Sequence, residues 1–138
     1  MHPREATELI QTQMPLCATL GVSADLVKPS SVVLSLDWDP KLCTAGGMLH
    51  GGTLMALADS AGGTLAVLNL PEGATGTTTI ASATNFLGAV RHGRVTATAS
   101  VLHGGRSTIV VETVVTDATG RRVAKVIQTQ SVLRPTGA

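Results

Sequence analysis

Aromatic side chains are almost absent from this chain of 138 residues, with one Trp, one Phe and no Tyr. Binding of single-stranded nucleic acid needs rings on which bases stack, and binding of any nucleic acid needs a basic face. Ten Lys and Arg against nine Asp and Glu leave a formal net charge of +1. There is no basic tract, so no nucleic-acid partner is expected on either count. Cys17 and Cys43 follow an opening, MHPREATELIQ, that lacks the apolar segment of a secretion signal, so they are expected as free thiols in a cytoplasmic protein. No run of about eighteen apolar residues occurs, which argues against a membrane partner. The histidines beyond His50, namely His2, His92 and His103, show no ligand spacing, and no metal or other cofactor is expected.

What is present is apolar and small. With 43% hydrophobic and 14% charged residues, the chain is long enough to bury a core as one domain, residues 1–138. Its low charge implies that part of the surface is hidden in an oligomer.

Residues 4–14 carry Ala6, Leu9, Ile10 and Gln13 at helical spacing, and Pro15 ends or redirects that helix. From Leu20 to Asp39 the period changes to two, with Val32, Leu34 and Leu36 on one face, broken at Lys28-Pro29-Ser30; two strands and a turn are predicted. Asp39-Pro40 opens a loop to His50, and a long helix runs from there to about Leu70, before Pro71-Glu72-Gly73. Four strand-like runs rich in Thr, Val and Ile follow, at Gly76–Leu87, Arg94–Leu102, Ser107–Thr116 and Arg122–Leu133, and an antiparallel meander is expected of them. The fold class is α+β, about six antiparallel strands curved over one long helix.

The long helix holds the chemistry. Gly51 and Gly52 precede the stripe Leu54, Leu57, Ala58 and Ala61, so the first turn exposes N–H groups at the positive end of the helix dipole, where a carbonyl turning anionic can bind. Asp59 is about 140° round the helix from Leu54, on a face shared with Gly52, Met55, Gly62 and Gly63. No other Asp, Glu, Lys or Arg lies between Lys41 and Glu72. A merely solvated helix face carries several charges, so an isolated carboxylate among small residues points to a functional acid.

Gly47-x-x-His50-Gly51-Gly52, with Asp59 nine residues after the histidine and a strand ending in Asn85-Phe86-Leu87, resembles hotdog-fold acyl-CoA thioesterases of the PaaI type, the branch that shares this motif with 4-hydroxybenzoyl-CoA thioesterases. The resemblance covers roughly Leu20 to Leu133. It implies hydrolysis of acyl-CoA or aryl-CoA to the free acid and coenzyme A, the latter being part of the substrate. By that likeness the Gly51 N–H polarises the thioester carbonyl. Asp59, reaching in from a neighbouring subunit, is general base or nucleophile, and a homodimer at minimum, extending to a tetramer, is implied. His50 is read as fixing the loop rather than acting as a base. Thr44 stands where relatives carry Asn or Gln, Gly63 where one branch carries Thr, and Thr79 near where PaaI-type members hold the water with Ser or Thr. The usual Phe-Leu-Arg-Pro strand end reads Phe86-Leu87-Gly88-Ala89, with Arg91 displaced. For the phosphates of coenzyme A, the loops bearing Arg91, His92 and Arg94 and then Gly104-Gly105-Arg106 supply cations beside flexible backbone. A non-catalytic acyl-CoA-binding domain on the same fold is disfavoured by Asp59. A hotdog dehydratase or hydratase is disfavoured because His50 and Asp59 are not adjacent on the helix.

Overall fold

The structure, a computed structural model, describes residues 1–136. The chain opens with α1 (Pro3–Gln13), capped by the His2 ring, whose Nδ1 accepts the Arg4 N–H at 3.1 Å. Pro15 does more than stop this helix. It takes the first position of α2 (Pro15–Leu20), where its missing N–H has no helical partner to lose, and Gly21 closes that turn in the left-handed region at φ 71°. The hairpin β1 (Ser23–Lys28) and β2 (Ser31–Asp37) follows, then two 3₁₀ turns, Pro40–Leu42 and Ala45–Gly47. These deliver the chain to α3 (Gly51–Leu68), which ends two residues before the expected Leu70. The remaining elements are β3 (Gly76–Phe86), β4 (Arg94–Gly104), β5 (Thr108–Thr116) and β6 (Arg122–Leu133).

All six strands form one antiparallel sheet in the order β1-β2-β4-β5-β6-β3. The meander expected of the last four strands is therefore correct for β4, β5 and β6 and wrong for β3. Both sides of β4 are taken, by β2 and β5, so β3 pairs instead along the free side of β6 and becomes an edge strand.

Alternation along the strands turns Val32, Leu34, Leu36, Val95, Ala97 and Ala99 inward, joined by Ile109, Val111 and Val115 from β5, all fully buried. They close on Leu57, Ala58, Ala61 and Leu65 of α3, also without exposed surface. The alanines of β4 leave room for the helix, which thus lies across the middle of the sheet with its opposite face uncovered. That uncovered face, together with the free edge of β3, is where the site is built.

Candidate active site

Two groups of residues mark the exposed side of α3. The first is its N-terminus. His50 is the N-cap, with extended backbone at φ −60° and ψ 138°, and its Nδ1 accepts the Gly52 N–H at 2.7 Å. A side chain at Gly52 would stand 2.9 Å from that same ring nitrogen, so the cap needs glycine there. The imidazole is thus engaged in holding the helix start. His50→Ala should lower the unfolding free energy by about 1 kcal/mol, the usual worth of an N-cap, with His50→Asn recovering most of it; urea unfolding of the three proteins checks this.

Among the described residues nothing accepts from the Gly51 N–H. It opens on a cleft of about 380 Å³ whose walls include Thr44, Met48, Leu54, Phe86 and Ala89. Thr44 is thereby brought to the Gly51 cleft, its own N–H bonded to the Met48 carbonyl at 2.9 Å. The Phe86 ring roofs the glycine closely, since a Cβ on Gly51 would lie 3.0 Å from Cζ. The loop before the helix turns through Gly46 and Gly47, both at positive φ. It is fastened from outside, with Arg91 Nη1 donating to the Gly46 carbonyl at 2.6 Å and Trp38 Nε1 to the Gly47 carbonyl at 3.0 Å.

The second group surrounds Asp59. Its Oδ1 accepts from Thr79 Oγ1 at 3.1 Å and from Gln128 Nε2 at 2.5 Å, while Gln130 Nε2 donates to Thr79 Oγ1 at 2.6 Å. Met55, one turn before Asp59, is 40% exposed, and Gly63, one turn after, has open space where a side chain would go. Gly62 is different. It is buried against the Gln128 amide, which a Cβ would overlap outright. Alanine in a helix interior gains up to about 1 kcal/mol over glycine, but overpacking a closed core costs about 1–3 kcal/mol. Gly62→Ala should therefore be net destabilising in urea and should push Gln128 off Asp59, with slower turnover as a second consequence.

Sequence reading missed Gln128 and Gln130. The signal was available in the period of two along β6, where they follow Val126 on inward positions and are 0% and 1% exposed. Amides in the core phase of a strand need a reason.

The arginines require correction. Arg94 is bound to Asp37 at 2.9 Å and approaches Asp25 at 4.0 Å, so it serves the β2–β4 pairing instead of standing free. Arg106 lies beyond the other end of β4, its carbonyl accepting from Arg134 at 2.8 Å. With Arg94 and Gly104 ten residues apart, about 33 Å of strand, the two loops do not form one mouth within a protomer. What stands beside Arg91 is Arg121, from the turn between β5 and β6. It donates from Nη2 to the Ala89 carbonyl at 2.9 Å and lies 3.3 Å from Asp117. The Thr119 hydroxyl, bonded to Asp117, is the main reason that carboxyl is held below the usual carboxylate range. Arg91, His92, Asp117, Thr119 and Arg121 line a cleft of about 370 Å³ that meets the Gly51 cleft at Ala89. Cys17 is buried, which pushes its thiol up, and it donates to Ser60 Oγ at 3.3 Å, as an inert core thiol does. Among the described residues no three His, Cys, Asp or Glu side chains converge, and no helix is long and apolar enough to cross a membrane.

The sequence profile of the thioesterase superfamily matches residues 46–124, from the Gly46 turn through α3, β3, β4 and β5 to the start of β6. The chain belongs to the thioesterase superfamily. A candidate esterase of Saccharolobus solfataricus is 33% identical over 115 residues, covering 83% of this chain and 81% of that protein. Among solved structures, a thioesterase of Pseudomonas aeruginosa, determined as a glutamine-to-alanine mutant, is 26% identical with a TM-score of 0.85, covering 92% and 93% of the two chains. A thioesterase of Haemophilus influenzae, 23% identical, shares the fold at a TM-score of 0.88 over 99% of this chain and 94% of that one. The α+β architecture of this superfamily member is the hotdog fold, as the sequence resemblance implied. Its relatives support a thioester hydrolase.

Proposed function

We propose that this protein hydrolyses the thioester of an acyl-CoA or aryl-CoA, at a site shared between two copies of the chain. The observation that carries the reading is the separation of the two groups on one straight helix. Gly51 and Asp59 are eight residues apart, about 12 Å at the helical rise. A carbonyl carbon and its oxygen are only about 1.2 Å apart, so one protomer cannot put the Gly51 N–H on the oxygen and Asp59 beside the carbon. A second copy can. The β3 edge has its outer side unpaired and carries exposed Ile80 and Phe86, with Met55 on the neighbouring helix face, the composition of a surface that pairs with itself across a two-fold axis.

At such a site the Gly51 N–H and the helix dipole stabilise the oxygen as it becomes anionic. Asp59 of the other copy either attacks the carbonyl carbon or takes a proton from the attacking water. Thr79 holds the carboxylate. The carbon–sulfur bond then breaks and coenzyme A leaves as its thiolate. With water as the attacker the free acid results directly; with Asp59 as the attacker a mixed anhydride results, which water cleaves to free the acid and regenerate the carboxylate. Thr44 lines the thioester cleft, Met55, Gly52 and Gly63 leave the acyl approach open, and the cationic cleft at Arg91 and Arg121 suits the phosphates of coenzyme A. Arg106 is left for the partner's side of the substrate. The experiment is thiol release from short, medium, long and aryl acyl-CoA esters by the purified protein, with Asp59→Ala as control. Hydrolysis of at least one ester is expected; acyl-CoA binding with no release from any would replace this reading by a non-catalytic binding domain.

A further inference from the structure

Asp59 fixes the direction of every hydrogen bond around it. An ionised carboxylate only accepts, so the Thr79 proton points at Oδ1, and the Gln128 group at 2.5 Å from Oδ1 is its NH₂. With its one proton committed, the Thr79 oxygen accepts, so the Gln130 group at 2.6 Å is an NH₂ as well. Polarity therefore runs one way, from Gln130 to Thr79 to Asp59, with a second arm from Gln128. Both arms end on Oδ1. Oδ2 accepts nothing from the described residues.

The cost of this arrangement shows that it is not ordinary packing. Gln128 and Gln130 occupy inward positions of β6 that Val126 fills with an apolar side chain, and both are buried. To give its NH₂ to Asp59, Gln128 must turn its carbonyl oxygen the other way. Among the described residues that oxygen is buried without a partner, as is the Thr113 hydroxyl, and both flank the empty Cβ position of Gly62. An orphaned buried acceptor is destabilising, and apolar residues of the same size would avoid it. The fold accepts the orphan and places a glycine beneath it, and what it obtains is a carboxylate with one oxygen immobilised.

We infer that Gln130 and Gln128 are positioning residues of the reaction. They orient Thr79 and Asp59 so that Oδ2 is the single oxygen presented to the thioester carbon or its attacking water. The inference rests on the thioester-hydrolase reading above. It assigns no substrate contact to either glutamine.

A double-mutant cycle tests it, read on the ester that wild type hydrolyses fastest. Thr79→Val should lower kcat by roughly tenfold or more, the worth of a hydrogen bond to a charged group, and Gln130→Met by roughly fivefold, the worth of a bond between neutral groups, with KM little changed in either. The double variant should lose no more than Thr79→Val alone, because Gln130 acts only through the hydroxyl. Thr79→Ser keeps that hydroxyl and should retain most of the activity. Stability should move the other way: Thr79→Val strands the buried Gln130 amide and lowers the urea midpoint, Gln130→Met leaves the exposed Thr79 hydroxyl to water and changes it little, and the double variant, with the amide gone, regains what Thr79→Val loses. That opposition also covers a poorly folded single variant, since the double variant then supplies the comparison with Thr79→Val in a recovered fold. Gln128→Met should lower kcat in the Thr79→Val background as well, being an independent arm. Losses that multiply between Gln130 and Thr79, or activity that tracks stability through the cycle, would overturn the assignment while leaving the hydrolase reading intact. Inactivity of wild type on every ester would overturn the reading first and this assignment with it.

Discussion

Asp59→Asn should reduce kcat by about a hundredfold to ten-thousandfold, the range lost when a positioned general base is removed, and should leave KM within a few fold. Asparagine has the same shape, and its carbonyl oxygen can still accept from Thr79 and Gln128, as Oδ1 does now. What is removed is the charge and the basic lone pair at Oδ2. The amide that replaces them can neither attack a carbonyl nor take a proton from water. Because the surrounding bonds survive, the urea midpoint should stay close to wild type, and this separates the result from unfolding. Thiol release at saturating ester is the measurement, and a loss smaller than tenfold would remove Asp59 from the chemistry.

The second large effect is expected at Gly51. Proline is favoured at the first position of a helix because the N–H it lacks has no helical partner. The residue before it must be extended, as His50 already is at ψ 138°. Gly51→Pro thus deletes one N–H at a position built to tolerate it. The new ring meets Phe86, whose ring stands 3.0 Å from a Cβ at this position. Removing one donor from an oxyanion site costs about a hundredfold to a thousandfold in kcat. Gly51→Ala is the control, since it crowds Phe86 in the same way while keeping the N–H. Single-turnover hydrolysis by the two variants should therefore differ by at least tenfold in favour of alanine.

Much of this is legible in the residues themselves. The helix start at His50 and Gly51 and the inward stripe of Leu57, Ala58 and Ala61 follow from period and capping chemistry. So do all six strands and the separation of Asp59 from the core face. Local signals carry these features. The place of β3 was not legible, because pairing along β6 depends on which edges other strands have already taken, and no local pattern encodes that. The arginines misled for a related reason. Arg91, Arg94 and Arg106 are charges at loops and strand ends, and only the fold shows that the Asp37 carboxylate holds Arg94 and that Arg106 lies beyond the far end of β4, leaving Arg91 beside Arg121. Gln128 and Gln130 lay between these cases. Their phase on β6 could be read, but the Asp59 carboxylate that gives it meaning is 69 residues away from Gln128.

The central claim is that one thioester is served by Gly51 of one copy and Asp59 of another. Mixed oligomers of Gly51→Pro and Asp59→Ala chains, formed by co-refolding equal amounts with different affinity tags, test it most directly. Each variant alone should be nearly inactive. In a two-fold dimer the mixed species restores one intact site of its two, and half of the randomly formed dimers are mixed, so activity should recover to about a quarter of wild type. Mixed dimers that are isolated through both tags and show no activity above the parent variants would contradict the shared site.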